Sequence, residues 1–287
     1  MSLPPLDRSG AAPGPIGVFD SGYGGLTVLR QLVSRLPEYD FLYLGDNARA
    51  PYGSRSFPVV YEYTAEAVRA LFGMGCHLVI LACNTASAKA LRTIQQKDLP
   101  RWDPDRRVLG VIRPTVEEIG RHTRSGHIGI LGTPGTVLSE SYVLEIRKLY
   151  PEVITTQEAC PLWVPLVENL EYGNEGADYF IQKNVRNLLR RDPLIDTLLL
   201  GCTHYPLLLE SIRKFVPSDV AIISQDRIVS ESLTDYLRRH PEMDDRIRKA
   251  GFRRFLTTET EELFQERATL FFGSAVQADH LPLLHPA

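Results

Sequence analysis

Along most of this chain, short uninterrupted apolar runs alternate with segments whose apolar residues recur at three- and four-residue spacing. The first run, 16–19, ends in Asp20-Ser21-Gly22. Behind it Val28, Leu29, Leu32, Val33 and Leu36 form one face of a helix that Pro37 stops. A second run, 41–44, precedes a polar loop to Ser54 and a long helical stretch to about Phe72. A third, 78–82, leads into Asn84 and Thr85, either of which suits the cap of a helix carrying Ala86, Ala90, Leu91 and Ile94. Runs at 108–112, 128–131, 198–200 and 220–223 keep the rhythm. A strand apolar at every position is buried on both faces. With helices between such strands, the pattern predicts parallel sheets and an α/β fold.

The pattern also repeats. Ile16-Gly-Val-Phe-Asp-Ser-Gly22 matches Ile128-Gly-Ile-Leu-Gly-Thr-Pro134 at an offset of 112 residues, and aligning Cys83 with Cys202 gives 119. Two matches at nearly equal offsets predict two pseudo-symmetric parallel-sheet α/β domains enclosing a central cleft. Ligands of open parallel sheets sit at the carboxyl ends of strands, so each half would aim one cysteine at that cleft. Beyond Ser224 the pattern gives a helix (Ile228, Leu233, Leu237), a strand near 252–256 and a helix through Phe272. A tail of about 60 residues is small for a domain of its own. The expected division is therefore 16–112 with 225–287 as a discontinuous first domain and 113–224 as the second. The Pro/Gly-rich segment 1–15 reads as a disordered lead-in.

Composition narrows the function. With 32 basic against 35 acidic residues the net charge is −3, which leaves no footprint for nucleic acid or an anionic membrane surface. The longest apolar run, 78–83, falls far short of the roughly 20 residues that cross a bilayer. Segment 1–15 lacks the apolar centre of a secretory signal, so the expected compartment is the cytoplasm. Four cysteines, Cys76, Cys83, Cys160 and Cys202, are too few and too scattered for a disulfide scaffold, and no C-x-x-C pair exists.

Cys83 ends a strand and precedes a helix start, whose partial positive charge favours a thiolate. Cys202 has the same placement, with His204 two residues on. Cys76 and Cys160 lack that setting and read as structural. A zinc site from Cys83, Cys202, His204 and Asp20 would need ligands from distant loops at an unusual spacing. A Cys–His hydrolase, with Cys83 as nucleophile and His204 as base, would leave Cys202 without a task. The loop Asp20-Ser21-Gly22-Tyr23-Gly24-Gly25 is neither a dinucleotide fingerprint nor a P-loop, yet its N–H groups can approach an anion. Asp20 is either a loop cap or a proton-holding group beside Cys83. Pro51-Tyr52-Gly53-Ser54 is either a surface turn or a wall of the cleft. Asn84-Thr85 and Thr203-His204 supply donors beside each thiol. Together with Ser21 and Tyr52-Gly53 they suit two carboxylates, with a Cα between the sulfurs. Of only six lysines, Lys89 alone lies near a motif, and nothing suggests a Schiff base with pyridoxal phosphate.

The strings IGVFDSGYGGLTVL (16–29), GDNARAPYGS (45–54), ACNTASAKAL (82–91), GVIRPTV (110–116), IGILGTPGT (128–136), CPLWVPLVE (160–168) and LGCTHYPLL (200–208) resemble the glutamate racemases of the aspartate/glutamate racemase superfamily. They stand in the family's order and cover nearly the whole chain from residue 16. The resemblance implies a two-base mechanism without cofactor or metal, in which Cys83 serves D-glutamate and Cys202 serves L-glutamate. It implies that Asp20 assists Cys83, and that Glu168 and His204 assist Cys202. Substrate-binding positions carried over are Asp20, Ser21, Pro51, Tyr52, Gly53, Asn84, Thr85, Thr133, Thr136, Thr203 and His204. A homodimer and a role in peptidoglycan synthesis are implied in the same way. Two stretches depart from the family pattern. Arg113 and Thr115 stand where an acidic or amide residue and a small one are expected, and Ser224-Gln225-Asp226 replaces a small-residue form. A racemase of a related amino acid such as aspartate, and a non-catalytic amino-acid-binding clamshell, remain the alternatives.

Overall fold

The computed structural model describes residues 12–283. Among the described residues ten strands form two sheets in which every pairing is parallel. They are β1 (Ile16–Asp20), β2 (Phe41–Gly45), β3 (Leu78–Leu81), β4 (Arg107–Gly110), β5 (His127–Gly132), β6 (Ile154–Ala159), β7 (Thr197–Gly201), β8 (Ala221–Ile223), β9 (Arg253–Thr257) and β10 (Ala278–His280). The first sheet has the order β10-β9-β2-β1-β3-β4 and the second β6-β5-β7-β8. The four-strand unit 2-1-3-4 thus occurs twice, which is the predicted pseudo-symmetry. Strands after residue 224 rejoin the first sheet at its β2 edge.

Helices α1 (Gly25–Arg35), α2 (Phe57–Gly73), α3 (Asn84–Lys89), α4 (Ile112–Ile119), α5 (Pro134–Leu138), α6 (Ser141–Leu149), α7 (Trp163–Glu168), α8 (Glu175–Arg191), α9 (Gln225–Arg239) and α10 (Glu261–Phe272) cover the sheets. Alternate strand residues point to opposite faces, and the cores follow that period. Ile16 and Val18, Leu78 and Ile80, and Leu198 and Leu200 share one core reaching from sheet to sheet. Phe19, Val79 and Leu81 belong to a second core behind the first sheet. Leu199, with Ile128 and Ile130, belongs to a third behind the second sheet. The two halves are therefore fused through a common apolar layer. Their two connections, leading into α4 and α9, run side by side.

Two strands escape the sequence pattern. β6 (ITTQEA) is an edge strand with no fully buried residue, so it shows no apolar run. β10 is only three residues long. The lead-in also begins its order early: Gly14 donates its N–H to Arg246 O (3.0 Å) and accepts from Arg248 N (2.9 Å). The rest of the predicted lead-in, 1–11, lies outside the described residues. Among the described residues no helix is long and apolar enough to cross a membrane.

Candidate active site

In an open parallel sheet the loops of adjacent strands diverge where the strand order reverses, here between β1 and β3 and again between β5 and β7. A cavity of about 150 Å³ lies at those strand ends, well below the ~300–1,000 Å³ of a pocket for a drug-sized ligand. Its occupant must be small. Cys83 and Cys202, one from each sheet, both line it. So do Ser21, Pro51, Tyr52, Gly53, Asn84, Thr85, Thr133, Glu168, Thr203 and His204. Asp20 and Thr136 lie just behind these residues, fully buried. A larger depression of about 430 Å³ along α8, walled by Arg186, Arg190 and Lys214, opens to solvent and holds no thiol or imidazole.

The two thiols sit in unlike surroundings. Cys83 is itself the N-cap of α3, in place of the predicted Asn84 or Thr85: its sulfur accepts from Ala86 N at 3.4 Å. Its S–H is directed at Ser21 Oγ, also 3.4 Å away. The helix start was expected to favour a thiolate, but burial and the neighbouring Asp20 carboxylate win and push the thiol up to about 12. Cys202 precedes a short 3₁₀ turn, Tyr205–Leu208, so the expected likeness to Cys83 does not extend to a helix terminus. A cation stands there instead.

His204 Nδ1 lies 3.9 Å from Cys202 Sγ, and His204 Nε2 lies 3.0 Å from Glu168 Oε1. Burial by itself would lower the imidazole, yet hydrogen bonding and charge from Cys202 and Glu168 raise it to about 10. At neutral pH it is an imidazolium bridging sulfur and carboxylate, with both ring nitrogens donating. Asp20 is raised by burial, against the pull of the His204 charge and its bond from Gly22 N (2.9 Å). Thr203 Oγ1 reaches across from the second half to donate to Asp20 Oδ2 at 3.4 Å. That closeness explains Gly24: a Cβ there would lie 2.5 Å from His204 Nδ1.

The remaining walls join the two halves. Thr85 Oγ1 on α3 is 2.9 Å from Thr133 Oγ1, which is 3.1 Å from Thr136 Oγ1 on α5. Gly135 N donates to Gly53 O at 2.7 Å, and buried Lys89 holds the same loop by donating to Arg55 O at 2.6 Å. The Tyr52 hydroxyl is spent on Asp46, which Arg49 grips at 2.7 Å, so Tyr52 meets the cavity through its backbone and ring. The Asn84 amide likewise turns aside, donating to Gln225 Oε1 (2.7 Å) and accepting from Tyr142 OH (2.6 Å).

Cys160, read from the sequence as structural, is buried in the shared core and also lines the cavity together with Pro161, Val164 and Pro165. The available signal was symmetry. β6 is the counterpart of β2, so the loop after it meets the cleft as Pro51-Tyr52-Gly53 does, but β6 shows no apolar run by which to find it. Cys76 is fully buried in the outer core of the first half. Among the described residues no three His, Cys, Asp or Glu side chains are grouped to hold a metal ion, so the zinc alternative lacks its ligand set.

Comparison with known proteins agrees with this geometry. The family model for Asp/Glu/Hydantoin racemase matches residues 16–228. A glutamate racemase of Paracoccus denitrificans is 40% identical over 273 residues, covering 91% of this chain and 98% of that protein. The crystal structure of a glutamate racemase from Bacillus anthracis superposes with a TM-score of 0.85 at 33% identity, covering 94% of this chain and 99% of that one. That of Francisella tularensis glutamate racemase in complex with D-glutamate gives 0.82 at 30% identity, covering 95% and 98%. With a matching model over most of its length and relatives covered nearly end to end, this chain belongs to the Asp/Glu/Hydantoin racemase family.

Proposed function

We propose that this protein is a glutamate racemase, interconverting L- and D-glutamate by a two-base exchange of the α-proton with no cofactor or metal. The observation that carries the reading is the pair of buried thiols, one from each α/β half, walling a single small cavity with unequal proton environments. Racemisation by two bases needs two positions of opposite state, a base on one face of Cα and an acid on the other. Imidazolium His204, held by Glu168 at 3.0 Å, stands 3.9 Å from Cys202 Sγ, and Cys202 is assigned the base. Burial and Asp20 keep Cys83 a thiol.

From this resting state Cys202 removes the α-proton of L-glutamate while Cys83 delivers its own to the far face, giving D-glutamate. The protons on the two sulfurs are then exchanged. For the reverse direction Cys83 must start as thiolate, and Asp20, itself raised by burial, is a proton acceptor of suitable strength. Negative charge growing on the α-carboxylate during proton removal calls for fixed donors in a dry site. Ser21, Thr85, Thr133, Thr203, the Asn84 N–H and the backbone of Pro51-Tyr52-Gly53 are assigned to the two carboxylates, with Thr136 supporting Thr133. The domains are taken as 16–112 with 225–287, and 113–224. The implied setting is a cytoplasmic homodimer supplying D-glutamate for peptidoglycan.

The test is purified protein with L- or D-glutamate in D₂O, with reductant and no added cofactor or metal. Expected are α-proton loss by NMR and decay of circular dichroism to zero from either enantiomer. A folded sample inert toward glutamate but active on aspartate would reassign the substrate. Binding without exchange would make this a binding protein.

A further inference from the structure

Behind Cys83 lies a closed ring of three buried hydrogen bonds joining three elements, with a branch to a fourth. Asn84 Nδ2 on α3 donates to Gln225 Oε1 (2.7 Å), Gln225 Nε2 at the start of α9 donates to Tyr142 OH, and Tyr142 OH on α6 donates to Asn84 Oδ1 (2.6 Å). The second Nε2 proton of Gln225 goes to Thr115 Oγ1 on α4 (3.2 Å), and the Thr115 hydroxyl donates to Val111 O (2.7 Å). Asn84, Thr115, Tyr142 and Gln225 are 4% exposed or less. With the Thr115 hydroxyl donating to Val111 O, Thr115 Oγ1 takes its proton from Gln225 Nε2, and this branch sets the sense in which the ring runs. Thr115 and Gln225 are also the two buried positions at which the sequence departs from the family pattern. They lie on different connections between the halves, α4 and α9, and they meet.

We propose that Gln225, with Thr115 and Tyr142, is a positioning device for this racemase: it pins the Asn84 amide and thereby sets Cys83, the adjoining N-cap residue, against Cys202. The inference rests on the racemase reading above. Asn84 is the first residue of the helix that Cys83 caps, and the ring ties that residue to the second half and to both connections at once. Release of the ring lets α3 shift against α6, and the register of the two sulfurs about Cα shifts with it. Misplacement of a reacting group by about 1 Å costs on the order of 100-fold in rate.

The experiment compares Gln225→Ala and Tyr142→Phe with the wild type. Tyr142→Phe removes a single oxygen and keeps the packing, so it serves where Gln225→Ala folds poorly. Expected is a fall in kcat of about 10- to 100-fold, with KM changed by no more than about threefold. Because Cys83 acts on D-glutamate, the primary isotope effect on kcat/KM with α-deuterated D-glutamate should rise, and that with α-deuterated L-glutamate should fall. A variant that is simply less folded moves neither. Combining the two substitutions should cost little more than either alone, as members of one unit behave. Arg113→Ala, at an exposed residue bonded to Glu117, should leave kcat unchanged. Normal turnover in both ring variants, or lost turnover with both isotope effects unmoved, overturns the proposal. An inactive wild type instead overturns the racemase reading beneath it.

Discussion

Replacing Glu168 by Gln keeps the shape and one acceptor oxygen beside His204 but removes the negative charge that lies 3.0 Å from its Nε2. The imidazole stands at about 10 against an ordinary 6.5. At about 1.4 kcal/mol per unit, that rise is worth roughly 5 kcal/mol net, left after the Cys202 and Glu168 interactions have overcome the opposing cost of burial. A hydrogen bond to a charged group is worth about 1.5–3 kcal/mol, so Glu168→Gln should lower His204 by about one to two units. Because the folded value lies above the unfolded one, the charge on His204 stabilises the fold fully below pH 6.5, and this contribution is lost as pH climbs through the folded value. In the variant the loss comes one to two units earlier. Apart from a constant offset, the gap in unfolding free energy should be about 1.5–3 kcal/mol at pH 7 and should close above pH 10. The alkaline limb of kcat/KM should move to lower pH by the same amount. Urea unfolding from pH 7 to 10.5, with racemisation followed by circular dichroism, measures both. A stability gap that is flat across this range, or an alkaline limb that stays in place, would refute the bridging imidazolium.

Cys83→Ala and Cys202→Ala should each abolish racemisation, by at least about 10³-fold. The serine variants are expected to retain slow one-sided exchange of the α-proton, read by NMR in D₂O. Gly135→Ala places a Cβ 2.9 Å from both Gly53 O and Lys89 Nζ. It should part α5 from the 51–54 loop and raise KM for glutamate while kcat changes less, which steady-state kinetics will check. Tyr52→Phe strips buried Asp46 of one donor and should cost about 1–2 kcal/mol in urea unfolding. An unchanged midpoint would mean that Arg49 and Thr258 satisfy that carboxylate without it.

How much was legible depended on whether a residue's environment is written near it in the chain. β1, β3, β5 and β7 are almost wholly buried, so they read as apolar runs, and the cysteines at the ends of β3 and β7 came with them. β6 pairs on one side only and mixes Thr, Gln and Glu with Ile and Ala. The sequence therefore hid both the strand and the cleft-lining Cys160 beyond it. Motifs located Tyr52 and Asn84 correctly at the cavity, but their side chains answer to Asp46 and Gln225, partners that only the folded chain reveals. The helix-start argument at Cys83 was sound locally and lost to burial and to Asp20, which is 63 residues earlier in the chain.

The return of β9 and β10 to the edge of β2 also sets an order of assembly on the ribosome. All strands of the second sheet lie within 127–223 and emerge as one uninterrupted block, able to fold while the last quarter of the chain is still being made. The first sheet at that stage ends in an open β2, a row of unpaired backbone groups and a template for wrong partners. Only synthesis of 253–257 covers it. A nascent chain stalled before residue 253 would therefore carry both thiols and a sticky edge. The late strands act as a seal, and chaperone demand should peak just before they emerge.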